Sequence, residues 1–175
     1  MEVKSGCKLG GVFECEIYDK HGNLKWTERA HNVITDQGEN HIINAVLAGA
    51  TQITTWYCLL VETNTTASGT MTYAVPVFTE STAYDEVTRP IYAEVAAAGG
   101  TTTNSANKGT FTINDTKTMF GAALVGGGTA AMTKGDVASA GGVLFSFGTF
   151  TTNRAVVAAD VVNLTYTVSA QDDAV

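Results

Sequence analysis

Charge, proline and paired cysteine are all scarce in this chain of 175 residues: charged residues make up 15%, prolines number 2, and the 3 cysteines have no C-x-x-C spacing. The odd, scattered set Cys7, Cys15 and Cys58 fits neither a disulfide framework nor a zinc knuckle, so Cys15 and Cys58 read as small core hydrophobes. No basic run occurs, and a formal charge of -7 opposes direct binding to a phosphate backbone, which lysines and arginines would have to neutralise. No apolar run approaches the roughly 20 residues that span a bilayer, and M-E-V-K-S-G-C-K-L-G-G lacks the apolar core of a secretion signal. The expectation is a chain made in the cytoplasm, with no membrane partner and no direct nucleic-acid contact.

What is present is a 45% hydrophobic content and 18 glycines, enough for one compact domain with many turns. Phe13, Cys15 and Ile17 alternate with Glu14 and Glu16, the period of a half-buried strand; D-K-H-G-N supplies a turn, and Leu24 and Trp26 resume the alternation, which predicts a β-hairpin. In N-V-I-T-D-Q-G-E-N-H-I-I-N-A-V-L-A-G, Asp36 is placed as the cap and Glu39 as its capping-box partner. The helix is then expected over about 37–48, with Ile42, Ile43, Val46 and Leu47 as its apolar stripe and Gly49 as its left-handed stop.

Ile53 to Val61 is an apolar, β-prone run suited to a strand covered on both faces. Glu62 to Met71 reads as a long loop, Tyr73 to Phe78 as a short strand, and Ile91 to Val95 as an edge strand after Pro90. Ala96 to Asn107 reads as a loop. Further strands are predicted at Lys108 to Asn114, Thr118 to Val125, Val143 to Phe150 and Val161 to Ser169, with G-G-G-T-A-A-M-T-K-G-D and T-T-N-R as connections. Many short strands with a single helix predict a mainly β fold, a single-domain antiparallel β-sandwich of jelly-roll or Ig-like type over 12–175. Residues 1–11 are expected to be a flexible N-terminal arm.

His31, Asp36, Glu39 and His41 are the best candidates for metal or acid-base chemistry, but capping already explains the two carboxylates and no H-E-x-x-H spacing pairs the imidazoles. The glycine-rich loop lacks the G-K-[ST] ending of a phosphate cradle, and G-x-S-x-G is absent. The pairs Asp85 with Glu86 and Asp172 with Asp173 have no calcium-loop pattern around them. No enzyme, metal or cofactor is expected. Trp26, Trp56, Tyr57, Tyr73, Tyr84 and Tyr92 are candidates for a sugar-stacking platform or a protein anchor, set against ordinary core packing.

Four motifs in order carry a resemblance: N-V-I-T-D-Q-G at Asn32 to Gly38, W-Y-C-L-L at Trp56 to Leu60, Glu80 to Pro90 ending in Y-D-E-V-T-R-P, and K-G-T-F-T-I at Lys108 to Ile113. Together with the C-terminal D-V-V-N-L-T-Y-T-V, they resemble a family of small virion proteins of tailed double-stranded DNA bacteriophages, with Cys58 standing where that family usually has Gly. The resemblance implies a non-enzymatic structural protein located in the virion, foremost a capsid decoration or cement protein. Its partners would be the major capsid protein or other virion proteins, and it would form a homo-oligomer such as a trimer. A tail, collar or fibre component, or a carbohydrate-binding module or adhesin using exposed aromatics, are the alternatives.

Overall fold

The computed structural model describes residues 6–172. In chain order the elements are β1 (Cys7–Tyr18), β2 (Leu24–His31), β3 (Val33–Ile34), α1 (Asp36–Leu47), β4 (Trp56–Val61), β5 (Thr101–Thr103), β6 (Gly109–Thr112), β7 (Lys117–Gly126), α2 (Gly128–Met132), β8 (Val143–Val156) and β9 (Val161–Asp172). They form two antiparallel sheets, consistent with the expected single-domain β-sandwich. One sheet runs β2-β1-β9-β5 with β6 also on β9, and the other runs β3-β8-β7-β4.

The first hairpin forms as its sequence dictates. Asp19 Oδ1 accepts from the backbone N–H groups of His21 and Asn23 at 2.8 and 2.9 Å, and Gly22 turns the chain at φ +82°. The period-two pattern then places Phe13, Cys15 and Ile17 of β1 and Val162, Leu164 and Tyr166 of β9 in the core between the sheets. Each such large side chain contributes about 1.5 to 3 kcal/mol by leaving water. β5 and β6 share one edge of β9, and Asn104 closes the gap between them. Its side chain donates to Leu164 O at 3.1 Å and accepts from Tyr166 N at 2.7 Å, so a buried amide stands in for a missing ladder rung.

The strand β4 is covered on both faces, as its apolar run predicts. Cys58 and Leu60 face the core between the sheets, whereas Tyr57, Leu59 and Val61 face a second apolar cluster with Met71, Tyr73, Phe78, Ala131 and Phe147. That second cluster lies on the outer side of the β4-containing sheet, beneath the segment after β4 and α2. The sandwich therefore carries a third, irregular layer.

Several expectations are corrected. Residues 7–11, expected in an arm, form the first part of β1, because Cys7 to Gly11 pair in register with Asp172 to Val168; of the remainder of that arm, Gly6 precedes the strand and residues 1–5 lie outside the described residues. Tyr73 to Phe78 is not a strand: Tyr73, Pro76 and Phe78 are buried while Val75 and Val77 are exposed, and Val77 sits at φ +59°, outside strand geometry. Only a single bridge, Tyr57 to Ile91, forms in the expected edge strand Ile91 to Val95. The expected loop Ala96 to Asn107 contains β5, and the glycine-rich connection contains α2. T-T-N-R belongs to β8, where a bulge sets Phe150, Thr151, Thr152 and Asn153 against Phe120 alone.

Candidate interaction surfaces

The helix α1 starts one residue earlier than expected, and its cap is Thr35, not Asp36. Thr35 Oγ1 accepts from Gly38 N at 3.0 Å and donates to Leu144 O, so one hydroxyl both caps the helix and ties it to β8. A Cβ on Gly38 would lie 2.5 Å from Phe145 O, which explains why the helix needs glycine there. Asn32 donates to Tyr166 Oη at 2.7 Å, and Gln37 Oε1 accepts from Tyr73 N and Leu144 N, both at 2.9 Å. The polar residues of N-V-I-T-D-Q-G thus fix where α1 sits. At its other end Ala48 and Ala50 both donate to Asn44 O around Gly49 at φ +69°, the stop that the sequence predicts.

Docking through the first turn turns the expected stripe outward. Ile43, Val46 and Leu47 are 54%, 74% and 80% exposed, and only Ile42 packs against the core. A correct periodicity therefore gave a wrong burial, because the close approach at Gly38 sets the rotation of the helix.

The segment Glu80 to Pro90 is a buried polar clamp. Arg89 Nε and Nη2 donate to Glu80 Oε1 and Oε2 at 2.7 and 2.6 Å, with both side chains essentially sealed from water. Arg89 Nη1 reaches Tyr73 Oη at 2.9 Å and the carbonyls of Ala130 and Ala131 at 3.1 and 2.8 Å, while Gly135 N donates to Glu80 Oε2 at 3.0 Å. Burial alone would make the guanidinium less basic; the bonds and charge of Glu80 outweigh it and hold Arg89 protonated. Tyr84 lies under Lys134, whose ammonium is 4.5 Å from the ring centroid and donates to Tyr84 O at 2.7 Å. Glu86 accepts from Thr112 N, and Asp85 from Asn114 Nδ2. Ser81, Cys58 and Tyr92 add backbone bonds between this segment and β4, closing the edge that β4 would otherwise present.

The residues weighed for metal or acid-base chemistry do not converge. His31 is exposed on β2 opposite Val12, Asp36 and Glu39 are exposed on the first turn of α1, and His41 stands edge-on to Trp56 at 5.6 Å while accepting from Ile53 N at 3.4 Å. Among the described residues no three His, Cys, Asp or Glu side chains gather in metal-binding geometry. Cys15 and Cys58 are buried, and burial pushes their thiols up, Cys58 to about 12; Glu28 and Glu16 add to the effect at Cys15. Cys7 is exposed. Cys58 Sγ lies 3.0 Å from where a Cβ on Gly109 would stand, so the absent side chain at 109 makes room for the sulfur.

Of the aromatic candidates, Tyr57, Tyr73, Tyr84 and Tyr92 are buried. Trp26 is partly exposed, but the guanidinium of Arg154 lies 5.1 Å from its ring centroid and is held there by Glu28 at 2.9 Å, which occupies one face of the ring. Of the second acidic pair, Asp172 ends β9 and Asp173 lies outside the described residues.

Two recesses meet at Gln52 and Ile53. One is an open groove of about 560 Å³ lined by Thr51 to Thr55, Tyr57 and α2, with no charged side chain. The other, about 340 Å³, opens between the two sheets beside α1. Leu9 and Val168 come from one sheet, Trp56 and Phe145 from the other, and Val46 from the helix. Compared with known proteins, the chain matches no family model and no curated protein.

Proposed function

We propose that this chain is a non-enzymatic structural component of the virion of a tailed double-stranded DNA bacteriophage, acting as a decoration or cement protein on the major capsid shell. The order of the four motifs along the sequence carries this reading. It is supported by the use to which the motif residues are put: Thr35 and Gly38 seat the helix, Glu80 and Arg89 lock the outer layer, and Glu86 holds the end of β6 through Thr112. Conserving shape in this way suits a building block better than a reaction centre.

Mechanically, paired antiparallel sheets resist shear, and many symmetry-related copies reinforce a shell through avidity even when each contact is modest. A homo-oligomer, such as a trimer on a symmetry axis, would suit that arrangement. The test is quantitative mass spectrometry of purified particles with isotope-labelled standards. A copy number on the scale of the capsid protein is the expected result; a few copies per particle would move the protein to the tail, collar or fibre, and absence from the particle would overturn the proposal.

A further inference from the structure

The cleft beside α1 combines an apolar lining, an apolar rim, a carboxylate without an ion pair and a hydroxyl without a hydrogen bond. Its walls are apolar, with Trp56 wedged edge-on to Phe145 at 5.3 Å and facing Leu9 and Val168. Its rim continues onto the outward side of α1 through Val46, next to exposed Ile43 and Leu47. Unpartnered apolar surface of this kind is retained where something covers it. Its one carboxylate is Glu94, which lines the cleft together with the imidazole of His41 and forms no ion pair among the described residues. Behind Glu94, Tyr92 is 4% exposed, and its hydroxyl, beside Thr102, makes no hydrogen bond of good geometry.

We propose that this cleft is a docking site for a segment of another protein that inserts one large apolar side chain between Trp56 and Leu9 and sets a lysine or arginine against Glu94. Charge complementarity selects this occupant. The acidic group at the mouth disfavours an acidic segment and favours a basic one. The volume suits a single anchoring side chain with a short stretch of backbone and is too small for a helix laid lengthwise. The site stands on geometry alone and holds whether or not the protein belongs to a virion.

The probe is a pair of 12-residue peptides with identical phenylalanine and leucine anchors, one flanked by lysines and the other by glutamates. Binding is read from the indole N–H signals in proton–nitrogen NMR, with Trp26 as the internal control. The lysine peptide should shift Trp56 and leave Trp26 unmoved, the glutamate peptide should bind more weakly, Glu94→Gln should weaken the lysine peptide about two- to fivefold, and Val46→Asp should abolish binding. Because Val46 and Glu94 are exposed, neither substitution should impair folding, and circular dichroism melting checks this. Equal binding of both peptides, binding unchanged by Glu94→Gln, or no Trp56 shift at millimolar peptide would overturn the proposal. A concentration-dependent dimer that Val46→Asp disperses would overturn it in favour of a second copy.

Discussion

The two apolar clusters are held by different means. The core between the sheets is built on strict alternation, Phe13, Cys15 and Ile17 against Val162, Leu164 and Tyr166, with Phe13 stacked on Tyr166 at 4.1 Å. The outer cluster is covered mostly by irregular chain, and a sealed ion pair between Glu80 and Arg89 gathers that chain onto β4 and α2. In alternating apolar strands, truncating one side chain leaves a cavity but no buried charge without its partner. A polar clamp concentrates its effect in a few bonds, and losing one partner leaves the other buried without compensation.

The largest expected effect follows from that asymmetry. Arg89→Ala should cost about 3 to 5 kcal/mol, since Glu80 would be left charged and sealed, whereas replacing both partners by Leu and Met should recover most of the loss; urea denaturation of the single and double variants checks this. Failure of the double variant to recover would mean that specificity of the clamp, beyond its charge balance, holds the layer. Phe13→Ala should cost a comparable amount, about 3 to 5 kcal/mol, with no second-site apolar replacement that restores it. Thr35→Ala should cost about 1 to 2 kcal/mol by removing the cap and the tie to Leu144, read as a lower midpoint at an unchanged denaturant slope.

A smaller effect concerns pH. Burial pushes Cys58 up to about 12 in the folded chain, so the native state keeps a proton that the unfolded state releases near about 8.5. Its contribution to stability is complete below about pH 8.5 and is lost as pH climbs through about 12. Cys58→Ala should therefore flatten the alkaline fall in melting temperature while lowering the neutral value. At pH 8 a thiol reagent should label Cys7 quickly and reach Cys15 and Cys58 only on unfolding. Smallest of all, Leu47→Asp should change stability by no more than about 0.5 kcal/mol, because that side chain already lies in water.

The same asymmetry explains what could be read from the sequence. The hairpin, β4, β7, β8 and β9 announce themselves because local period and burial agree, and the α1 boundaries differ by one residue from the predicted span. The outer layer does not, because Arg89 and Glu80, nine positions apart, acquire meaning only when the irregular chain between them brings them together and α2 supplies carbonyls from far along the sequence. β5 is three threonines in a polar stretch, and only its register with β9 makes it a strand. The cleft was equally hidden: Trp56 packs against the core as expected and lines the cleft as well, and Val46 and Leu47 looked like the buried face of a helix. Gly38 held the missing signal, since a glycine in the first turn of a helix marks a close approach that decides which face turns inward.

Hydrogen–deuterium exchange on Arg89→Ala tests the division between the two clusters most directly. Faster exchange confined to the chain between β4 and β5 and to the region from α2 to β8, with β1 and β9 still protected, is the predicted outcome. Uniform loss of protection across both sheets, or no change in the outer layer, would contradict it.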